Sequence, residues 1–136
     1  MDPEAAAHLL FHSINKQTRT EAARTISYLK TGELEKCPNP FDPSRPFELP
    51  VGNSVPKLRA RLEAAGLHAD PDLLDALRLT IMEHVHSVFF DFFSAVDGEG
   101  VIAGADDTEV QLEIRIRDGE PLPDYLHEIF PPADIE

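Results

Sequence analysis

The stretch that decides the fold runs from residue 70 to residue 98 and reads DPDLLDALRLTIMEHVHSVFFDFFSAVDG. It opens with Asp-Pro-Asp, a typical helix start, because the first Asp can cap free amides and proline fits the first turn. Apolar side chains then recur every three or four residues up to Val96, which predicts one long helix. Toward its C-terminal end the helix is apolar nearly all round, so we expect that end to be the buried centre of the fold.

Shorter helices are predicted on the N-terminal side of this stretch. Asp2-Pro3-Glu4 begins the first, which we expect to end near Lys16. The spacing of Thr18 and Glu21 is that of a capping box and predicts a second helix ending at Gly32. A third helix is expected over residues 57–65. The N-terminal half is therefore expected to be helical apart from one interruption.

That interruption is the proline-rich segment 37–56, which cannot hold a regular helix because proline lacks the amide donor. We expect a long loop that is nevertheless ordered, pinned to the core by apolar anchors. The candidate anchors are Phe41, Phe47, Leu49 and Val51.

Residues 109–117 alternate strictly between polar and apolar side chains, which predicts a β-strand. Three pairing partners remain open: residues 101–103, residues 47–51, or the same strand in a second copy of the chain. A turn is expected at Asp118-Gly119, and a short helix over residues 123–130. The predicted fold is one domain over residues 1–136, mainly α with a small β element, in an α+β arrangement around the long central helix.

Charge is distributed unevenly along the chain of 136 residues, whose formal net charge is −13. The excess of carboxylates lies in residues 71–136, and this acidity disfavours binding to nucleic acid and to anionic membranes. It favours either solubility alone or a basic protein partner. The single cysteine, Cys37, rules out an intrachain disulfide, and the acidic N-terminus does not resemble a signal peptide. We therefore expect a soluble, cytoplasmic protein.

In broad character the chain resembles bacterial immunity proteins, which neutralise a cognate toxin. The resemblance depends on the acidic C-terminal half, the segment 89–93 (FFDFF) running into Val96-Asp97-Gly98, and the Leu126-His127-Glu128 ending. It implies a binding and inhibitory function toward a basic partner, but no particular fold. The contact residues that it implies are Asp97, Glu99, Asp106, Asp107, Glu109 and Glu113.

Two alternatives remain open from the residues alone. The first is a small enzyme in which His84, His86 or His127 works with a neighbouring carboxylate. The second is an assembly subunit, in which the alternating strand pairs edge to edge in a homodimer. His8 and His12 share a helix face but lack further ligands, so we expect neither a metal site nor a cofactor and assign no catalytic residue.

Overall fold

The computed structural model describes residues 1–98 and 112–133, and its fold is mainly α with a small β element, as predicted. The sheet has two antiparallel strands, in which Lys36 pairs with Glu48. The elements in chain order are α1 (Pro3–Thr31), β1 (Glu35–Cys37), β2 (Phe47–Leu49), α2 (Val55–Ala64), α3 (Pro71–Val96) and α4 (Leu126–Ile129).

Helix α1 is one continuous helix of 29 residues, where two helices with a break near residue 17 were predicted. The side chain of Asp2 caps its start by accepting a hydrogen bond from the amide of Ala5. The hydroxyl of Thr18 donates to the carbonyl of Ile14 at 2.8 Å instead of capping a new helix. Because no proline or glycine lies between Glu4 and Thr31, nothing interrupts the helix.

Helix α3 has the predicted bounds, and Asp70 caps it by accepting hydrogen bonds from two amides of the first turn. Its burial is confined to one face instead of surrounding the helix. Phe93 is 1% exposed, whereas Val88 and Phe92 are 67% and 46% exposed. The spacing explains the difference, since residues 88 and 92 lie on a helix face turned away from residue 93.

Two of the four apolar anchors predicted for the proline-rich segment are wrong, whereas Leu49 and Val51 are half-buried. Phe41 is 91% exposed and Phe47 is 48% exposed, so neither side chain pins the segment to a core. The segment instead contains β2 and most of the β1–β2 hairpin, and it ends where α2 begins at Val55.

The predicted strand 109–117 is not a strand in its described part, which begins at Leu112. Arg115 forms one isolated antiparallel bridge with Pro121, across the predicted turn at Asp118-Gly119. The alternation still governs burial, because Ile114 and Ile116 are packed against the apolar core. Arg115 thus pairs with the chain that follows the turn. Of the partners considered, residues 101–103 lie outside the described part of the chain, and Phe47–Leu49 pair with Glu35–Cys37 instead.

The chain divides into two compact units, and the division falls within α1 and α3. Unit 1 comprises residues 1–19 and 82–136, and unit 2 comprises residues 20–81. The core of unit 1 is aromatic and aliphatic and consists of Ala7, Phe11, Phe93, Leu122, Leu126 and Phe130. The buried apolar side chains of unit 2 are Ala22, Leu29 and Leu74.

Polar contacts hold the C-terminal part of unit 1. The side-chain Nδ2 of Asn15, a residue that is 3% exposed, donates to the carbonyl of Pro131 at 3.0 Å. The guanidinium of Arg19 donates to the carbonyl of Ala133 at 2.9 Å. These bonds join α1 to residues more than 110 positions away, beside the buried ring of Phe130. Among the helices of the described residues, none is both long and apolar enough to cross a membrane.

Candidate functional site

The predicted partner-binding carboxylates have different surroundings. The side chain of Asp97 has no exposed surface, so its carboxylate is not offered to a partner, contrary to the role predicted for it. Glu113 is exposed and forms an ion pair with Arg115 at 2.9 Å. The remaining predicted residues lie outside the described part of the chain: Glu99, Asp106, Asp107 and Glu109.

Exposed carboxylates that the sequence reasoning did not single out follow Glu113 along the chain. They are Asp118, Glu120, Asp124 and Glu128. None of these four carboxylates forms an ion pair with a described residue. The ion pair that Arg115 forms in this segment is with Glu113. With Arg115 and Arg117 included, residues 112–133 still carry a net charge of −3. A simple count of charge beyond residue 112 would have identified them.

Asp97 instead binds His127, 30 residues further along the chain. Its Oδ2 accepts a hydrogen bond from the backbone amide of His127 at 2.9 Å and lies 2.5 Å from the ring Nδ1 of the same residue. Asp97 thus ends α3 and also fixes the first turn of α4.

Phenylalanine rings contact both His127 and His86. The edge of Phe90 meets the ring of His127 at a centroid distance of 5.6 Å, and His86 stacks on Phe130 at 4.7 Å with an interplanar angle of 3°. His86 is therefore part of the aromatic packing of unit 1. His84 lies on the exposed side of α3, so the three histidines considered for catalysis do not share one environment.

The loop that joins β1 to β2, residues 38–46, is held by its own polar side chains, and we call it the hairpin loop. The Oδ1 of Asn39 accepts hydrogen bonds from the amides of Phe41 and Asp42, and its Nδ2 donates to the carbonyl of Arg45. Asp42 in turn accepts from the amide and the hydroxyl of Ser44. These short-range bonds fix the loop without burying it.

The hairpin loop presents two exposed side chains of different chemistry. Phe41 is 91% exposed, and the side chain of Arg45 is 87% exposed. Four prolines within the loop further restrict its backbone. The sequence signal for this site was the pattern Asn-Pro-Phe-Asp-Pro, in which Asn and Asp typically form side-chain turns. The prediction that Phe41 is a core anchor is wrong, because its ring is exposed.

A groove with a volume of about 760 Å³ lies within unit 2, and we call it the hairpin groove because Lys36 of β1 and Glu48 of β2 contribute to its lining. Its apolar lining side chains are Tyr28, Leu34, Pro50, Val51 and Pro56. Its acidic lining residues are Glu33 and Glu48, both of them exposed. The groove thus combines an apolar wall with two carboxylates.

The first strand of the hairpin is tied to α1 by charge. Arg24 donates to Glu35 at 3.0 Å and to Glu21 at 2.8 Å. The hydrogen bond that Arg24 donates to Glu35 is the largest cause that raises the pKa of Arg24 above its usual value, with Glu21 adding to it. This pairing holds β1 beside the helix within unit 2.

No metal centre is formed by the described residues, since no three His, Cys, Asp or Glu side chains converge there. His8 is exposed and lies 4.0 Å from Glu4, and His12 is also exposed. Cys37 is a free, half-buried thiol in β1. Comparisons with protein families, with curated proteins and with solved structures found no match to this chain.

Proposed function

We propose that the protein is a binding and inhibitory protein that attaches to a basic partner through exposed carboxylates of its C-terminal segment. The observation that carries this proposal is the group Asp118, Glu120, Asp124 and Glu128, exposed and without a cationic partner among the described residues. We call this group the acidic surface. It replaces Asp97, whose carboxylate is occupied by His127.

The physical argument is one of electrostatic steering. Carboxylates that are not neutralised by neighbouring cations attract a basic protein over roughly one Debye length, about 8 Å at physiological salt. Such attraction speeds association and sets the orientation of the encounter, whereas apolar contacts slow dissociation. Tyr125, 41% exposed and adjacent to Asp124, supplies an aromatic contact of the kind that contributes strongly to interfaces.

An immunity protein is the specific form of this proposal, in which binding blocks the active surface of a basic toxin. The acidic surface supports it through its charge. Among the three histidines of the enzyme alternative, His127 forms a hydrogen bond with a described carboxylate. That contact has a structural role, because one oxygen of Asp97 holds both the ring and the backbone of residue 127. Binding is therefore the function that we favour.

The test uses two variants with the same change in net charge. The first replaces Glu120, Asp124 and Glu128 with the corresponding amides, and the control replaces Glu4, Glu83 and Asp91, which are exposed helix carboxylates. Proteins retained by the immobilised wild type from native lysate are identified and purified. Their affinity for all three proteins is then measured by calorimetry at low and at high salt, together with the partner's own activity.

We expect a basic partner whose activity is inhibited on binding, and an affinity that falls about tenfold in the first variant and less than about twofold in the control. The salt dependence of binding should become shallower in the first variant, because fewer charges are screened. Equal affinities of the two variants, or a retained partner that is acidic, would contradict the proposal. Retention of no protein at low salt would contradict it as well.

A further inference from the structure

Helix α3 carries an exposed apolar stripe along the part of the helix that belongs to unit 1. Its side chains follow one another at intervals of three, four and three residues, and they are Val85, Val88, Phe92 and Ala95. Val88 and Phe92 are exposed, whereas Val85 and Ala95 are half-buried. We call these four residues the α3 stripe. Because exposure of valine and phenylalanine to water is unfavourable, a partner that covers the stripe gains free energy.

The spacing of the α3 stripe indicates which kind of element fits it. Intervals of three and four residues place the four side chains on one helix face, over a length of about 15 Å. A second helix packs on such a face when its own apolar side chains recur at the same spacing, because each side chain then enters a hole in the first helix. The ring of Phe92 lies 5.7 Å from the buried ring of Phe93, which restricts its position before binding. An amphipathic helix of about three turns therefore matches the stripe.

Charge selects the sign of that amphipathic helix. Asp91 is exposed and lies at the edge of the α3 stripe, one residue before Phe92 and three residues after Val88. Between Arg78 and Arg115 the sequence has eight Asp or Glu residues and no Lys or Arg. These carboxylates attract a basic helix and repel an acidic one. The same charges disfavour a second copy of α3 as the occupant, since two copies would bring like charges together.

We propose that the α3 stripe binds a basic amphipathic helix of another protein. Apolar side chains of that helix pack on Val88 and Phe92, and a Lys or Arg beside them pairs with Asp91. Helices that dock through one apolar face use anchors at these intervals. The α3 stripe shares no residue with the acidic surface, so this helix belongs to a second partner and the proposal does not depend on the inhibitory function.

The first experiment measures the binding of three synthetic peptides by calorimetry, each with about two heptads. The basic amphipathic peptide has Leu at the two apolar heptad positions and Lys at most others. The second peptide has Glu in place of Lys, and the third has the composition of the first with its leucines scattered around the helix. We expect the basic amphipathic peptide to bind at least about tenfold more tightly than either of the others, because it alone matches both charge and spacing.

Substitutions in the α3 stripe locate the binding site. Phe92→Ser and Val88→Ser should each weaken binding of the basic amphipathic peptide about tenfold, since each removes an apolar contact. Leu9→Ser is the matched control, because it removes an apolar side chain that is 57% exposed on α1, and it should change the affinity less than about twofold. Circular dichroism confirms that each variant is folded, and two stripe variants keep the test decisive if one of them does not fold.

The charge pairing is tested with two equal changes of charge on the same helix. Asp91→Lys, at the edge of the α3 stripe, should weaken binding of the basic amphipathic peptide about fivefold. Glu83→Lys is the control, because Glu83 is also exposed but lies nine residues before Phe92 and thus on the opposite side of α3. It should change the affinity less than about twofold. Since both variants have the same net charge, general attraction between an acidic protein and a basic peptide would not distinguish them.

Equal affinities of the basic and the acidic amphipathic peptides would overturn the proposal, as would equal effects of Phe92→Ser and Leu9→Ser. Equal effects of Asp91→Lys and Glu83→Lys would overturn the assigned charge pairing. Sedimentation velocity tests the other occupant: a wild-type dimer that dissociates in Phe92→Ser would assign the stripe to a second copy and so overturn the proposal. An empty capture in the test of the proposed function leaves these results unaffected, because synthetic peptides take the place of a captured partner.

Discussion

The two units use phenylalanine in opposite ways. In unit 1, Phe11 and Phe93 are each 1% exposed and their ring centroids lie 5.2 Å apart, with Phe130 against both rings. In unit 2, Phe41 is exposed at the tip of a loop that polar side chains hold in place. The comparison shows that two different kinds of interaction fix the conformation of this chain. Apolar burial orders unit 1, whereas local hydrogen bonds and proline order the hairpin loop.

The largest expected effect tests this contrast directly. Phe93→Ala should lower the free energy of unfolding by about 3–5 kcal/mol, since it removes a ring from a packed core and leaves a cavity. Phe41→Ala should change it by less than about 0.5 kcal/mol, because the ring is exposed. Chemical denaturation of both variants measures the difference. Similar losses in the two variants would remove the contrast between the units.

The next effect concerns the polar contact within unit 1. Asp97→Ala should lower the free energy of unfolding by about 1–3 kcal/mol, because two donors of His127 lose their acceptor in a buried position. The control Asp91→Ala removes an exposed carboxylate from the same helix and should change stability by less than about 0.7 kcal/mol, in the stabilising direction. Denaturation curves compare the two. Equal stabilities would mean that α4 is held by apolar packing alone.

A smaller loss of stability is expected at two glycines of unit 2, where the cost of the backbone conformation can be separated from the cost of steric crowding. Gly32 and Gly66 both have a positive φ, 75° and 71°. Gly66→Ala should cost about 1 kcal/mol for the left-handed conformation alone, since nothing lies within 4 Å of an added Cβ. Gly32→Ala would place the new Cβ 2.8 Å from the guanidinium of Arg59 and so displace that guanidinium from its ion pair with Glu63. The loss of stability should therefore be about 0.5 kcal/mol greater than for Gly66→Ala. Thermal unfolding of the pair tests the order.

The smallest change in global stability is expected in the hairpin loop. Asn39→Ala should cost at most about 1 kcal/mol, because the lost hydrogen bonds are exposed. The amides of Phe41 and Asp42, which donate to Asn39, should nevertheless exchange with solvent about tenfold faster. Hydrogen exchange detects this, with Asn53→Ala as the control at an exposed asparagine outside the loop. Unchanged exchange would show that proline alone orders the loop.

Much of the helical framework was predictable from local signals. The bounds of α3 follow from its Asp-Pro start, its apolar spacing and the glycine at residue 98. The C-terminal end of α1 follows from Gly32, whose positive φ ends the helix. The break predicted within α1 was wrong because a capping-box spacing also occurs inside helices, where the hydroxyl of Thr18 bonds back to Ile14.

The candidate sites were less predictable, because burial depends on contacts that are distant in sequence. Nothing near Asp97 in the sequence indicates that His127 binds it from 30 residues away. Likewise, an apolar residue in a loop is consistent with either an anchor or an exposed contact, and only the described loop geometry separates the two for Phe41. The four prolines predicted an irregular segment but did not specify the hairpin that contains it.

The core of unit 1 joins Ala7 and Phe11 to Leu126 and Phe130, so its partners are separated by more than 110 residues. During synthesis, the apolar face of α1 leaves the ribosome long before the rings and carbonyls that cover it. At about 5–20 residues per second this interval lasts roughly 5 to 20 seconds, during which the face is open to chaperones and to aggregation. Contacts between residues so far apart in sequence also slow folding. Dependence on a chaperone is therefore expected to be set by unit 1.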